Sequence, residues 1–185
     1  MQAITTTPSR QSALIGINVR WLRQALRLVG SLDDTAYATT PRGLAPHRAG
    51  SHLRHILEFY QCFLEGLELS HIDYDARRRD ETIEYSRDAA SAALRSIIRT
   101  LETSRDLHQE RIIWVRMEDA DTNAVRESFM ESSISRELQA LSSHTVHHFA
   151  LIAITLRMHC VDFDSEFGMA PSTLRYLASK TAEAA

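Results

Sequence analysis

The feature that most constrains this chain is a long apolar-rich run near its C-terminal end, residues 134–161, which holds one face for about seven turns. Ile134, Leu138, Leu141, Thr145, Phe149, Ile152 and Leu156 recur at three- and four-residue steps, the period of an α-helix with one buried side. A helix that long must bury its stripe against other helices. Three histidines interrupt it in the heptapeptide Ser142-Ser143-His144-Thr145-Val146-His147-His148. Residues four apart lie one above the other on a helix. His144 and His148 therefore share a face, which is the spacing for two imidazoles to hold one metal ion. His147 projects away from both.

Three further segments carry the helical period. Residues 9–32 place Leu14, Ile17, Trp21, Leu22, Ala25, Leu28 and Val29 on one side, with Ser9 as the expected N-cap. Residues 47–69 place Leu53, Ile56, Leu57, Tyr60, Phe63, Leu64 and Leu67 on another stripe, with Pro46 expected in the first turn. Residues 82–107 turn Ile83, Ala90, Leu94, Ile97, Ile98 and Leu101 inward. The punctuated segment 33–46 and the polar segment 71–80 read as loops. About ten extended residues can cover the length of a 20-residue helix, so the third helix can run parallel to the second. Between the third and fourth helices, residues 111–117 and 125–130 are β-rich and suggest a short β-hairpin. Residues 171–177 form a short C-terminal helix, with Phe163, Phe167, Leu174 and Tyr176 packing back. The expectation is an all-α fold, a four-helix bundle in one domain over residues 1–185, with frayed tails at 1–8 and 178–185.

Composition narrows the function classes. The 185 residues carry a net charge of -3 with 21 Lys+Arg against 24 Asp+Glu. The one basic run, Arg77-Arg78-Arg79, is flanked by Asp75, Asp80 and Glu81. Nucleic-acid binding needs a basic stripe, so it is set aside. The run 149–161 is too short and too interrupted by Arg157 and His159 to span a bilayer. Cys62 and Cys160 form no CxxC and fit reduced thiols in a cytoplasmic protein. The unusual count is nine histidines, five of them in two segments.

The second of those segments is Gly50-Ser51-His52-Leu53-Arg54-His55, on the second helix. A single histidine on an apolar face is more often a hydrogen-bonded core residue. Two at i, i+4, with another pair on a second helix, favour a metal site over that bland reading. His71, His108 and His159 lie near expected helix ends, where a cation meets the carbonyl pole, and His47 reads as loop or cap. Three imidazoles leave a fourth position open for water or substrate, and an ion there lowers the pKa of water or of a thiol. Glu58, three residues after His55, is the candidate outer partner of that imidazole. Thr145 after His144 excludes the HExxH of zincins. Only Glu68-Leu69-Ser70-His71 matches Glu-x-x-His, which excludes a ferritin-like di-iron pair. No Gly-rich phosphate loop, no GxSxG elbow and no self-evident nucleophile is present.

A histidine on the second helix, His-x-x-x-His on the fourth and a bundle of this length resemble the DinB/YfiT-like metal-binding superfamily. The similarity covers residues 9–177 and is strongest in Gly50-Ser51-His52-Leu53-Arg54-His55, in Leu141 to His148, and in Phe167-Gly168-Met169-Ala170-Pro171-Ser172-Thr173-Leu174-Arg175-Tyr176. The resemblance implies an up-down-down-up four-helix bundle, a divalent metal (zinc or nickel) on three histidines, and a homodimer. Characterised relatives include thiol-dependent S-transferases and a mycothiol-dependent isomerase. The expected function is therefore a metal-dependent transferase or hydrolase that activates a low-molecular-weight thiol or water on a small substrate. The rival is a non-catalytic dimerisation or binding module with a structural metal or none. Matching the motif assigns His55, His144 and His148 as ligands. Helical arithmetic alone puts His52 slightly nearer the apolar face and keeps it as the alternative.

Overall fold

The structure is a computed structural model, and it describes residues 9–117 and 129–183. The expected tail at residues 1–8 lies outside the described residues, as does most of the expected strand at 125–130.

Four long helices supply most of the core. Helix α1 (Arg10–Ser31) begins where the Ser9 hydroxyl accepts the Ser12 N–H, a cap for one of the orphan donors at a helix start. Helix α2 (Asp34–Ala38) is a short turn capped by Asp33. Helix α3 (Ala49–Gly66) follows, so Pro46 precedes the helix and does not lie in its first turn. A strand, β1 (His71–Asp73), and a 3-10 turn (Tyr74–Ala76) come next. Helix α4 (Glu81–Tyr85) then stops at Ser86, whose extended backbone and hydroxyl cap start helix α5 (Arg87–Thr103). A 3-10 turn (Asp106–His108) leads to β2 (Ile112–Arg116). Strand β3 (Met130–Ser133) runs directly into α6 (Ile134–Met158), capped by Ser133. Helix α7 (Pro171–Glu183) closes the described chain.

Contacts between side chains fix how the long helices run. Asn18 donates to the Leu138 carbonyl at 3.0 Å and Trp21 to the Ser142 hydroxyl at 2.9 Å, so α1 and α6 share a direction. Arg23 pairs with Glu102, and Arg87 with Asp34, both at 2.6 Å. These pairs set α5 against α1. His52 meets His148 while Phe59 meets His144, which sets α3 against α6. Every expected core position on α5 and α6 is buried. On α1 the buried face is rotated slightly from the expected stripe, and it takes in Ile15, Val19 and the polar Asn18.

The fold is mostly helical but not all-α. The three-stranded sheet has the order β1-β2-β3, with β1 parallel and β3 antiparallel to β2. The expected hairpin is present as β2 with β3, which overlaps the expected second strand at Met130, and β1 is an addition. Ile72 and Ile113 are buried where the sheet lies on the helices. Gly66 makes room for β1, because a Cβ there would stand 2.5 Å from the His71 carbonyl oxygen. The stretch from 178, expected to fray, is helical to Glu183. Phe167 stacks on Phe149 at 4.5 Å, whereas Tyr176 is exposed.

Candidate metal centre

The middle of α3 and the middle of α6 face each other, and their histidines meet. His55, His144 and His148 each offer a ring nitrogen, and the three nitrogens lie within 4.8 Å of one another. His55 and His144 stand 3.2 Å apart, Nε2 to Nε2. Two nitrogens at about 2.05 Å from a tetrahedral zinc would stand about 3.3 Å apart, so this pair already has the edge length of such a site. The donor set suits a divalent ion, since neutral imidazoles are ligands for zinc, nickel and related metals. His52 does not join the trio. Its ring is buried, with Nδ1 3.1 Å from His148 Nδ1 and Nε2 3.2 Å from His47 Nδ1.

Burial keeps the imidazoles neutral. Desolvation first, then the mutual repulsion of neighbouring imidazoles, lowers His52, His55 and His144 to about 4 and His148 to about 3. Arg77 adds to the effect on His55 and His144. All four rings are therefore ligand-ready at neutral pH. The same shifts make the metal-free fold acid-sensitive. In the unfolded chain the imidazoles take protons near pH 6.5, whereas in the fold they refuse them until pH 4 or below. Stability is then fully present above 6.5 and is lost as pH falls toward 4. Melts of metal-free protein at pH 7.5, 6.5 and 5.5 should show Tm falling by several degrees per unit below 6.5. A flat Tm across this window, which lies above the carboxylate range, would refute the assignment of buried neutral histidines.

Aromatic rings wall the centre. Phe59 lies 4.2 Å from His144 and 4.9 Å from His55, centroid to centroid. Its ring also stacks on Tyr74 and carries the Arg77 guanidinium at 4.1 Å. A small cavity lined by Phe59, Tyr74, Met117, Glu137, Leu141 and His144 touches the trio at His144. Within it the Glu137 carboxylate accepts from Tyr74 at 3.0 Å and from Ser132 at 2.6 Å. Deeper in the core, Tyr60 donates to Asn18 and lies 3.2 Å from the Thr145 hydroxyl. Among the histidines of the centre, His144 Nδ1 is buried without a hydrogen-bond partner. Such an atom costs free energy in a fold and calls for an explanation.

Several expected roles are revised. Glu58 is buried, but its carboxylate accepts from the Arg54 guanidinium at 3.2 Å and from the Asp80 N–H at 3.1 Å. It is an anchor for the α3–α4 junction, not the outer partner of His55. His71 opens β1 and does not end a helix, while His159 does cap α6 and contacts the Thr39 carbonyl. His147 is exposed, as its helical position requires. His47, read from sequence as loop or cap, stacks on His52 with the rings 4° from parallel. Its signal was the five-residue step to His52 across a helix start, which no helical period covers. Both cysteines are free, and burial pushes the Cys62 thiol up to about 11 while it donates to the Asp73 carbonyl. Cys62 is thus no ready nucleophile.

No protein-family profile and no solved structure matches the chain. Over 107 residues it is 32% identical to FK506-binding protein 5 of Rhizopus delemar. That stretch is 57% of this chain and 27% of the fungal protein, so the chain spans about a quarter of the relative's length. No helix among the described residues is long and apolar enough to cross a membrane.

Proposed function

We propose that this chain is a metal-dependent enzyme of the DinB/YfiT-like kind, a transferase or hydrolase that holds zinc or nickel on His55, His144 and His148. The observation that carries the proposal is the convergence of three neutral imidazoles from two helices, one of which, His144, lines a small cavity. The helix directions support the up-down-down-up bundle that the resemblance implies, with α1, α3, α5 and α6 as its four members. A bound divalent ion would supply Lewis acidity at the open position, lowering the pKa of a water or thiol placed there.

The protein's own groups do the rest. His55, His144 and His148 hold the ion without charge, so its full positive charge is left to act on the incoming group. Among the described residues no carboxylate joins them. Phe59, Tyr74 and Leu141 wall the cavity with apolar surface, which limits water and strengthens electrostatic effects inside it. Glu137 adds an acceptor that can orient a hydrogen-bond donor of a small substrate. With the Cys62 thiol pushed up, the nucleophile comes from outside, as a low-molecular-weight thiol or as water. A cytoplasmic homodimer completes the reading.

The test is metal content and thermal response of protein purified without a histidine tag. About one zinc or nickel per chain is expected, with Tm falling on chelation and recovering when the ion is returned. Protein that takes up neither ion and melts identically with and without chelator would end the proposal.

A further inference from the structure

Three imidazoles run in single file away from the centre: His148, buried His52 and exposed His47. The two links are 3.1 and 3.2 Å long, and each needs one N–H donor and one bare acceptor. A neutral imidazole has one N–H, so His52 can donate at only one end. The file therefore has two arrangements of opposite polarity. In the first, His47 Nδ1–H donates to His52 Nε2, His52 Nδ1–H donates to His148 Nδ1, and His148 carries its proton on Nε2. In the second, His148 Nδ1–H donates to His52 Nδ1, His52 Nε2–H donates to His47 Nδ1, and His47 carries its proton on Nε2.

Only the second arrangement leaves His148 Nε2 as a bare lone pair. With Nδ1 engaged by His52, Nε2 is the nitrogen left for an ion. Passing from the first arrangement to the second removes one proton at His148 Nε2 and adds one at His47 Nε2. The count closes, and no ring becomes charged. Ligating histidines usually fix their tautomer by donating to a carboxylate or a backbone carbonyl. At His148 the Nδ1 partner is neither of these: a second imidazole, His52, stands in that place.

Resting on the metal reading above, we infer that His52 is a positioning residue that commits His148 to its Nε2-ligating tautomer, with exposed His47 as the far end of the commitment. Loss of an outer partner weakens metal binding by about 10–100-fold, and that is the effect expected of His52→Leu. His52→Gln is expected to recover most of it, because the amide oxygen can accept from His148 and the amide nitrogen can donate to His47. His47→Leu leaves the His52–His148 link in place and should cost only a few-fold.

The experiment is zinc affinity by competition with a chromophoric chelator for tag-free wild type, His52→Leu, His52→Gln and His47→Leu, with Tm of each metal-free variant. It is paired with 15N NMR of the histidine side chains in zinc-loaded wild type. A weakened His52→Leu, rescue by Gln and a His52 proton on Nε2 are expected. If wild type binds zinc but His52→Leu binds equally well, the inference falls and the metal reading stands. If wild type binds none, the metal reading itself falls. Should His52→Leu fail to fold, a His52 proton found on Nδ1 in zinc-loaded wild type would overturn the inference without it.

Discussion

Replacing His144 by Leu is expected to strip the metal from the protein while leaving the metal-free fold as stable as before, or more so. The first half follows from the ligand count: two imidazoles in place of three, with His55 losing the partner nitrogen at 3.2 Å. The loss should exceed that of an outer partner, so affinity falls by more than about 100-fold. The second half follows from the unpartnered Nδ1 of His144. Leucine removes that buried polar atom and one of the depressed titrations, and its side chain faces Phe59 and Leu141. His147→Ala, on the exposed side of the same turn, is the control and should change neither property. Zinc titration and melts at pH 7.5 and 5.5 give the readout. A His144→Leu protein that keeps its metal, or that loses several kcal/mol of stability without it, would mean that the histidines are there to hold the fold.

What was legible in the sequence divides along the range of the interactions. The stripes of α3, α5 and α6 could be read because each is long enough for the helical period to repeat, and Ser9 caps as its position suggests. The i, i+4 pair His144 and His148 was legible for the same reason. Strand β1 was not: three residues hold one buried side chain, Ile72, and its pairing partner β2 lies about forty residues on. No local pattern encodes a parallel pairing of that separation. Ser86 hid the break between α4 and α5 because a serine is tolerated inside a helix and shows itself as a cap only through its backbone.

The choice between His55 and His52 shows where helical arithmetic stops. The arithmetic placed His52 nearer the apolar face, and His52 is indeed the more buried of the two. Burial does not decide which ring joins the cluster of three. The trio forms at the edge of the α3–α6 contact, where His55 reaches His144, while His52 sits deeper and turns to His148 and His47. Asn18 was overlooked in a similar way. A polar residue in an apolar stripe has meaning only once Tyr60 and the Leu138 carbonyl are found across from it.

The largest effect away from the histidines is expected from Gly50→Ala. Alanine inside a helix ordinarily stabilises it by up to about 1 kcal/mol relative to glycine. At Gly50 a Cβ would stand 2.0 Å from the Glu84 carbonyl oxygen and 2.9 Å from Tyr37 Cε1. Neither neighbour is a flexible tip. The Glu84 carboxylate is clasped by Arg48 and Arg54, and Tyr37 is buried and donates to the Ile83 carbonyl. The start of α3 must therefore shift away from α2 and α4, which overpacking penalties put at about 2–4 kcal/mol net, or roughly 10 °C in Tm for a chain of this size. His52 and His55 ride on that same turn, so zinc affinity should fall with stability even though no ligand is touched. Gly16→Ala is the matched control: Gly16 is exposed on α1 and nothing lies within 4 Å of its Cβ position, so Tm should hold or rise. A Gly50→Ala protein that melts with wild type would show that α4 can yield at Glu84, and that the α3 terminus is not what holds the two histidines in place.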